Sequence, residues 1–182
     1  MNRALTFTAA LFAVTAIAIA ADSADSGLKK GDRVAAFNVK DVTGPSAGKS
    51  LCYRCQYGGA PVACVFTREI NDDVAALVKE IDSAVDSSGK KMKAFVVLLT
   101  DDADKGAGEL KKLAEAKGIK HTPLTIFDGA SGPGAYKISK DAEVTVLMWA
   151  GSKLKVNQGF AKGELKADDA KKVAGQTSEI LD

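Results

Sequence analysis

The chain is poor in the residues from which reactive centres are usually built. Histidine occurs once and cysteine three times in 182 residues. That scarcity leaves few ways to assemble a metal or nucleophile site, and the single His121 argues against a histidine-dependent hydrolase. A dominant charge of one sign is also missing. Lys and Arg number 25 against 23 Asp and Glu, for a formal charge of +2. So small an imbalance gives no electrostatic case for nucleic acid or an anionic membrane surface as partner. There is no internal repeat, long linker or low-complexity block. With 46% hydrophobic and 26% charged residues, the composition is that of one globular domain large enough for a real core.

The first twenty residues read as an address. Met1-Asn2-Arg3 makes a short positive start, and Ala4 to Ala20 carries no charge. Ala18-Ile19-Ala20 then supplies a small-x-small cleavage pattern, followed at once by Asp22 and Asp25. This is the order of a secretory signal peptide, 1–20, with a polar lead-in at 21–30 and a single folded domain at 31–182. No cysteine follows the cleavage site to accept a lipid. The expected product is an exported protein, periplasmic or secreted, without stable membrane insertion after cleavage. In such a compartment paired cysteines stay oxidised.

The domain alternates strands and helices. Val34 to Val42 alternates loosely and ends in the loop Thr43 to Gly48. Val62 to Phe66 is a short continuous apolar run, the pattern of a strand buried on both faces, and Ala94 to Leu99 repeats it. Asn71 caps a helix whose apolar side chains Val74, Leu77, Val78, Ile81 and Val85 recur at helical spacing until Gly89. Leu110, Leu113 and Ala114 mark a second helix ended by Gly118, its start capped and charged by Asp101, Asp102 and Asp104. Pro123 to Phe127, Val144 to Trp149 and Lys153 to Val156 are further strands, the last two joined by a turn at Ala150-Gly151-Ser152. A final helix covers Ala167 to Ala174 and extends toward Leu181. This order describes a mixed sheet covered on both faces. The glycine-rich stretch 129–134 lacks the Lys-Ser/Thr ending of a phosphate loop and reads as a turn. No cofactor is called for.

Chemistry rests on the thiols. Cys52-Tyr53-Arg54-Cys55 is a C-x-x-C pair whose spacing suits a small disulfide ring or two ligands to one metal. Three readings stay open: a redox pair exchanging with protein thiols or disulfides, a structural bridge, and metal binding through the cysteines. In the first, Cys52, nearer the chain start and expected to be the more exposed sulfur, attacks and Cys55 resolves. Arg54, with Lys49 and Arg68, stabilises the thiolate by charge. Gly58, Gly59 and Pro61 are expected to prevent a helix after the pair, which would remove help from a helix terminus. Cys64, inside the first apolar run, reads as a buried free thiol. A zinc set of Cys52, Cys55, Cys64 and His121 has suitable ligand types but unfamiliar spacing. Tyr53, Tyr57 and Trp149 read as core packing, or as an apolar docking surface beside the pair.

Several phrases together resemble the thioredoxin-like superfamily, in particular its redoxin and peroxiredoxin-like branch. Gly31 to Val39 followed by Gly44 is similar to the opening of redoxin domains. Leu98-Leu99-Thr100-Asp101, then Pro123 to Asp128, is similar to the middle. Ala135 to Ile138, Val144 to Leu147, Gly151 and Lys153 to Val156 complete the pattern. The resemblance implies a three-layer α/β/α sandwich with a central mixed β-sheet. It also implies a reactive cysteine just after the first buried strand and a proline before the strand of Val144. Here Thr67-Arg68-Glu69-Ile70-Asn71 and Asp141-Ala142-Glu143 stand at those places, so a peroxidase reaction does not carry over.

Overall fold

A computed structural model describes residues 24–89 and 91–181. The signal peptide read at 1–20 lies outside the described residues. Seven strands, β1 (Val39–Asp41), β2 (Ser50–Leu51), β3 (Val62–Thr67), β4 (Lys93–Thr100), β5 (Leu124–Asp128), β6 (Ala142–Ala150) and β7 (Lys153–Ala161), form one sheet in the order β2-β1-β5-β4-β3-β6-β7. β3, β4 and β5 run parallel, whereas β6 and β7 on one side and β1 and β2 on the other pair antiparallel. The sheet is therefore mixed, as the alternation of elements requires. Pro123 leads into β5 beside β4, the place the resemblance implies for it.

Every residue of β3 is buried, because neighbouring strands flank it and both faces are covered. Its side chains alternate: Ala63 and Val65 enter one core, and Val62, Cys64 and Phe66 the other. The first core is roofed by helices α2 (Asp72–Ser87), α3 (Ala103–Lys117) and α4 (Ala167–Gly175). Right-handed β-α-β crossovers explain why α2 and α3 share that face, since β3, β4 and β5 are laid down in one direction across the sheet. Asn71 Oδ1 accepts the Val74 N–H at 2.9 Å and Asp102 Oδ1 the Lys105 N–H at 3.0 Å, the two caps expected. Buried Asp82 on α2 accepts the His121 N–H at 2.7 Å and holds the chain entering β5. The last helix is two pieces, with the short α5 (Ser178–Leu181) following α4.

The second face has little helix. It is filled by large rings: all three tyrosines, the single tryptophan, and Phe37, Phe66, Phe95 and Phe127 form a connected set of ring contacts. A 3-10 turn at Gly134–Tyr136, a short helix before β3 and the chain ahead of β1 complete this layer. Between β6 and β7 the turn residues Gly151 and Ser152 both have positive φ, the two-residue hairpin geometry that matches strand twist.

From Ala24 onward the polar lead-in is part of the packed body. Asn157 on β7 accepts the Ser26 N–H at 3.1 Å and donates to the carbonyls of Ser26 and Leu28 at 2.9 and 2.8 Å. Ala24 passes so close to Gly159 that a Cβ there would overlap its carbonyl oxygen. Gly159→Val should therefore expel this strap at a cost of about 1–3 kcal/mol. Tryptic cleavage at Lys29 and Lys30 should accelerate while hydrogen exchange in β3 keeps its order among the slowest amides. Unchanged cleavage would refute the close approach.

Candidate functional site

The cysteine pair sits on a helix that the sequence did not lead us to expect. α1 (Tyr53–Tyr57) follows Cys52 directly, and Gly58 ends it. Gly58, Gly59 and Pro61 stop the helix but do not prevent it, because one and a half turns fit before them. Cys52 is its N-cap, and its Sγ accepts the Cys55 N–H at 3.1 Å. The two cysteines are joined by a disulfide, with Cα atoms 5.2 Å apart.

So short a helix does not hold itself together, and tertiary contacts supply its anchor. Tyr53, between the two cysteines, is buried, with its ring stacked on Phe95 at 5.6 Å and against Tyr57 at 5.2 Å. Its hydroxyl donates to Asp41 Oδ2 at 2.8 Å. Asp41 is itself buried in β1, and the same carboxylate accepts the Gly44 and Ser46 N–H groups, each at 2.8 Å. A buried carboxylate with three donors is a satisfied one. Gly44 is required here, because a Cβ would overlap the Tyr53 hydroxyl and the Asp41 carboxylate. Tyr57 extends the anchor by donating to the Ala94 carbonyl at 3.4 Å. Sequence reading missed Asp41. The available signal was an acid within an apolar alternation, followed by the Gly44-Pro45-Ser46 turn that its carboxylate caps.

The anchor sets the exposure of the sulfurs. With Tyr53 pointing inward, Cys52 is half-buried and Cys55 exposed. This reverses the order expected from sequence, because position on the helix turn, not distance from the chain start, decides which side chain faces water. Cys64 lies beneath, fully buried in β3, and burial pushes its thiol well above the usual value. Tyr53 and Trp149 are buried as well, so these rings are core and not a docking surface.

The candidate basic residues divide. Arg54 is on α1 between the cysteines, its Nε donating to the Val34 carbonyl at 3.2 Å. Lys49 is exposed in the turn before β2. Arg68 is excluded from the pair because it follows the far end of β3. There its guanidinium donates to the carbonyls of Ala142 and Ala130, and the Arg68 N–H donates to Glu143 O at 3.1 Å. Asn71 adds a bond to Glu143 Oε1 at 3.0 Å. The two places where the resemblance implies a cysteine and a proline are thus tied to each other by polar bonds. No cis peptide occurs among the described residues. His121 is at the surface beside Asp86, its Nε2 3.3 Å from Oδ1. The zinc set is not assembled: no group of three or more metal-ligating side chains is gathered among the described residues.

Burial pushes the hydroxyls of Tyr53, Tyr57 and Tyr136 well above their ordinary range, and hydrogen bonding to Asp41 adds to this at Tyr53. In the unfolded chain they ionise near pH ~10, so the unfolded state loses protons first and stability falls as pH rises beyond that value. These are the only 3 tyrosines. Tyrosinate absorbance should therefore stay flat until it rises in one step with alkaline unfolding. A gradual rise near pH ~10 with native circular dichroism would contradict the buried assignment. Tyr53→Phe should cost about 1–3 kcal/mol in denaturant unfolding, since it removes a bond to a buried carboxylate.

No protein-family model matches the sequence, and no curated protein is similar enough to it to count as a relative. Solved structures do match in shape. A proposed protein disulfide isomerase from Bacteroides thetaiotaomicron superposes with a TM-score of 0.66 at 13% identity, covering 88% of this chain and 94% of that one. A secreted disulfide oxidoreductase of Mycobacterium tuberculosis gives 0.56 at 8% identity over 76% and 94%. The peroxidoxin BcpB of the same organism gives 0.58 at 15% identity over 84% and 98%. At such identities the likeness speaks to fold and not to activity. No helix among the described residues is long and apolar enough to cross a membrane. The chain is a protein of thioredoxin-like fold that carries its disulfide on a short helix ahead of the first central strand.

Proposed function

We propose that this protein is exported and exchanges electrons with the thiols or disulfides of other proteins through the Cys52–Cys55 pair. The observation that carries this reading is the division of labour among the cysteines. The bonded pair reaches the surface, whereas the third thiol is sealed in the core. Net exchange is a two-electron step: a partner dithiol becomes a disulfide as the pair becomes two thiols, or the reverse. Arg54 serves as the thiolate stabiliser, being the positive charge that lies between the two cysteines in sequence. Export rests on the signal-like residues 1–20 and suits a pair that spends its resting state oxidised.

The rival reading, a structural staple, asks more of the bond than its geometry offers. The cysteines are only three apart in sequence. Closing so small a ring constrains the unfolded chain by about 2 kcal/mol, less than the ~3 of a 15-residue loop. The segment already has its anchor in Tyr53, so the bond is not needed to hold α1 down. Metal binding would need ligands beyond the two cysteines.

Differential alkylation across glutathione redox buffers, followed by mass spectrometry, tests the proposal. Cys52 and Cys55 should open together in the folded protein at a potential above about −270 mV, with Cys64 protected until denaturant is added. Stability should fall by no more than about 2 kcal/mol on reduction. A pair that resists reduction until the domain unfolds is a staple.

A further inference from the structure

We infer that Cys55, and not Cys52, is the sulfur that carries the mixed disulfide with a partner, while Cys52 is the leaving and resolving sulfur; this rests on the exchange reading above. Two independent features of the site point the same way. The first is access. A thiolate attacks whichever sulfur of a disulfide it can reach. Cys55 is exposed, whereas Cys52 is half-buried between the end of β2 and the inward-facing Tyr53.

The second is the fate of the departing charge. When the bond breaks, one sulfur leaves with the electron pair, and the better-stabilised thiolate leaves faster. Cys52 Sγ already accepts the Cys55 N–H at 3.1 Å, and such a bond strengthens when its acceptor becomes an anion. Among the described residues no protein donor is bonded to Cys55 Sγ. Access therefore selects Cys55 as the attacked atom, and the N-cap bond selects Cys52 as the leaving group.

The steps balance. A partner thiolate bonds to Cys55 Sγ as the Cys52–Cys55 bond breaks, and the electron pair of that bond leaves on Cys52 Sγ. The partner's second thiolate then attacks its own sulfur in the mixed disulfide. The partner disulfide forms, and Cys55 departs as a thiolate. Two electrons have passed from the partner dithiol to the pair, and the two protons given up by the partner end on Cys52 and Cys55. In the reverse direction Cys55 attacks a partner disulfide and Cys52 resolves the same mixed species.

The chain supplies a convenient assay. Trypsin cuts after Lys49, Arg54 and Arg68, so Cys52 falls in the peptide 50–54 and Cys55 in the peptide 55–68. Oxidised protein, folded and with no substitution, is mixed with limiting reduced glutathione, quenched by acid and alkylated. The glutathione adduct is then located by peptide mass spectrometry, with fragment ions separating Cys55 from Cys64. Glutathione on Cys55 with alkylated Cys52, in roughly ten-fold excess over the converse, is the expected result. Equal adducts, or a majority on Cys52, would overturn the inference and leave the exchange reading standing. No adduct on the folded protein, with ready adducts once it is unfolded in urea, would remove the exchange reading and this inference together.

Discussion

The burial of β3 on both faces is the constraint from which the arrangement follows. A strand in that position needs cover above and below, and this chain supplies the two covers by different means. The crossovers joining β3, β4 and β5 put α2 and α3 on one side, and α4 joins them there. The other side is left to short pieces, and large rings make up the volume that helices would otherwise fill. α1 is one of those pieces. The cysteine pair is carried on it because the segment crossing that face before β3 has to contribute Tyr53 to the core.

Burying Tyr53 has two effects at once. Its ring closes the aromatic layer over Phe95, and its hydroxyl completes the hydrogen bonding of a buried Asp41. Neither group is tolerable alone in that environment, because an unpaired hydroxyl or carboxylate inside the protein loses the water that solvated it. Together they tie β1, the turn after it and α1 into one unit. With the inward direction taken by Tyr53, the helical angle turns Cys55 outward and leaves Cys52 at the boundary. The difference in reactivity argued for the two sulfurs is thus a consequence of the core packing of Tyr53, which lies between them in sequence.

Much of the architecture was legible before any coordinates. Val62 to Phe66 and Ala94 to Leu99 read as doubly buried strands because an uninterrupted apolar run has no other economical use at that length. Asn71 and Gly118 bounded helices because their side chain or backbone satisfies groups that a helix end leaves open. The site was less legible. α1 has no apolar periodicity of its own and too few residues to show one, so local pattern argued against it. Asp41 gave little warning, since a lone acid in a strand is ordinarily solvated. Arg68 was misplaced as a charge beside the Cys52–Cys55 pair, because nearness in sequence does not tell that β3 carries it to the far end of the strand.

What the sequence alone determined is the inventory and the order: one pair of neighbouring thiols, one thiol inside an apolar run, and strands and helices alternating toward a mixed sheet. These follow from local stereochemistry and from burying apolar surface, both of which are written along the chain. Only the tertiary structure decided what the inventory does. It made a capped helix of the cysteine segment, bound the segment following β3 to the start of β6 with polar bonds, and faced one sulfur outward and the other to the boundary. Those outcomes depend on contacts between residues far apart in sequence, Tyr53 with Phe95 and Asp41, Arg68 with Ala142. No local pattern encodes them, because each group's conformation is chosen by a partner that the chain brings near only on folding.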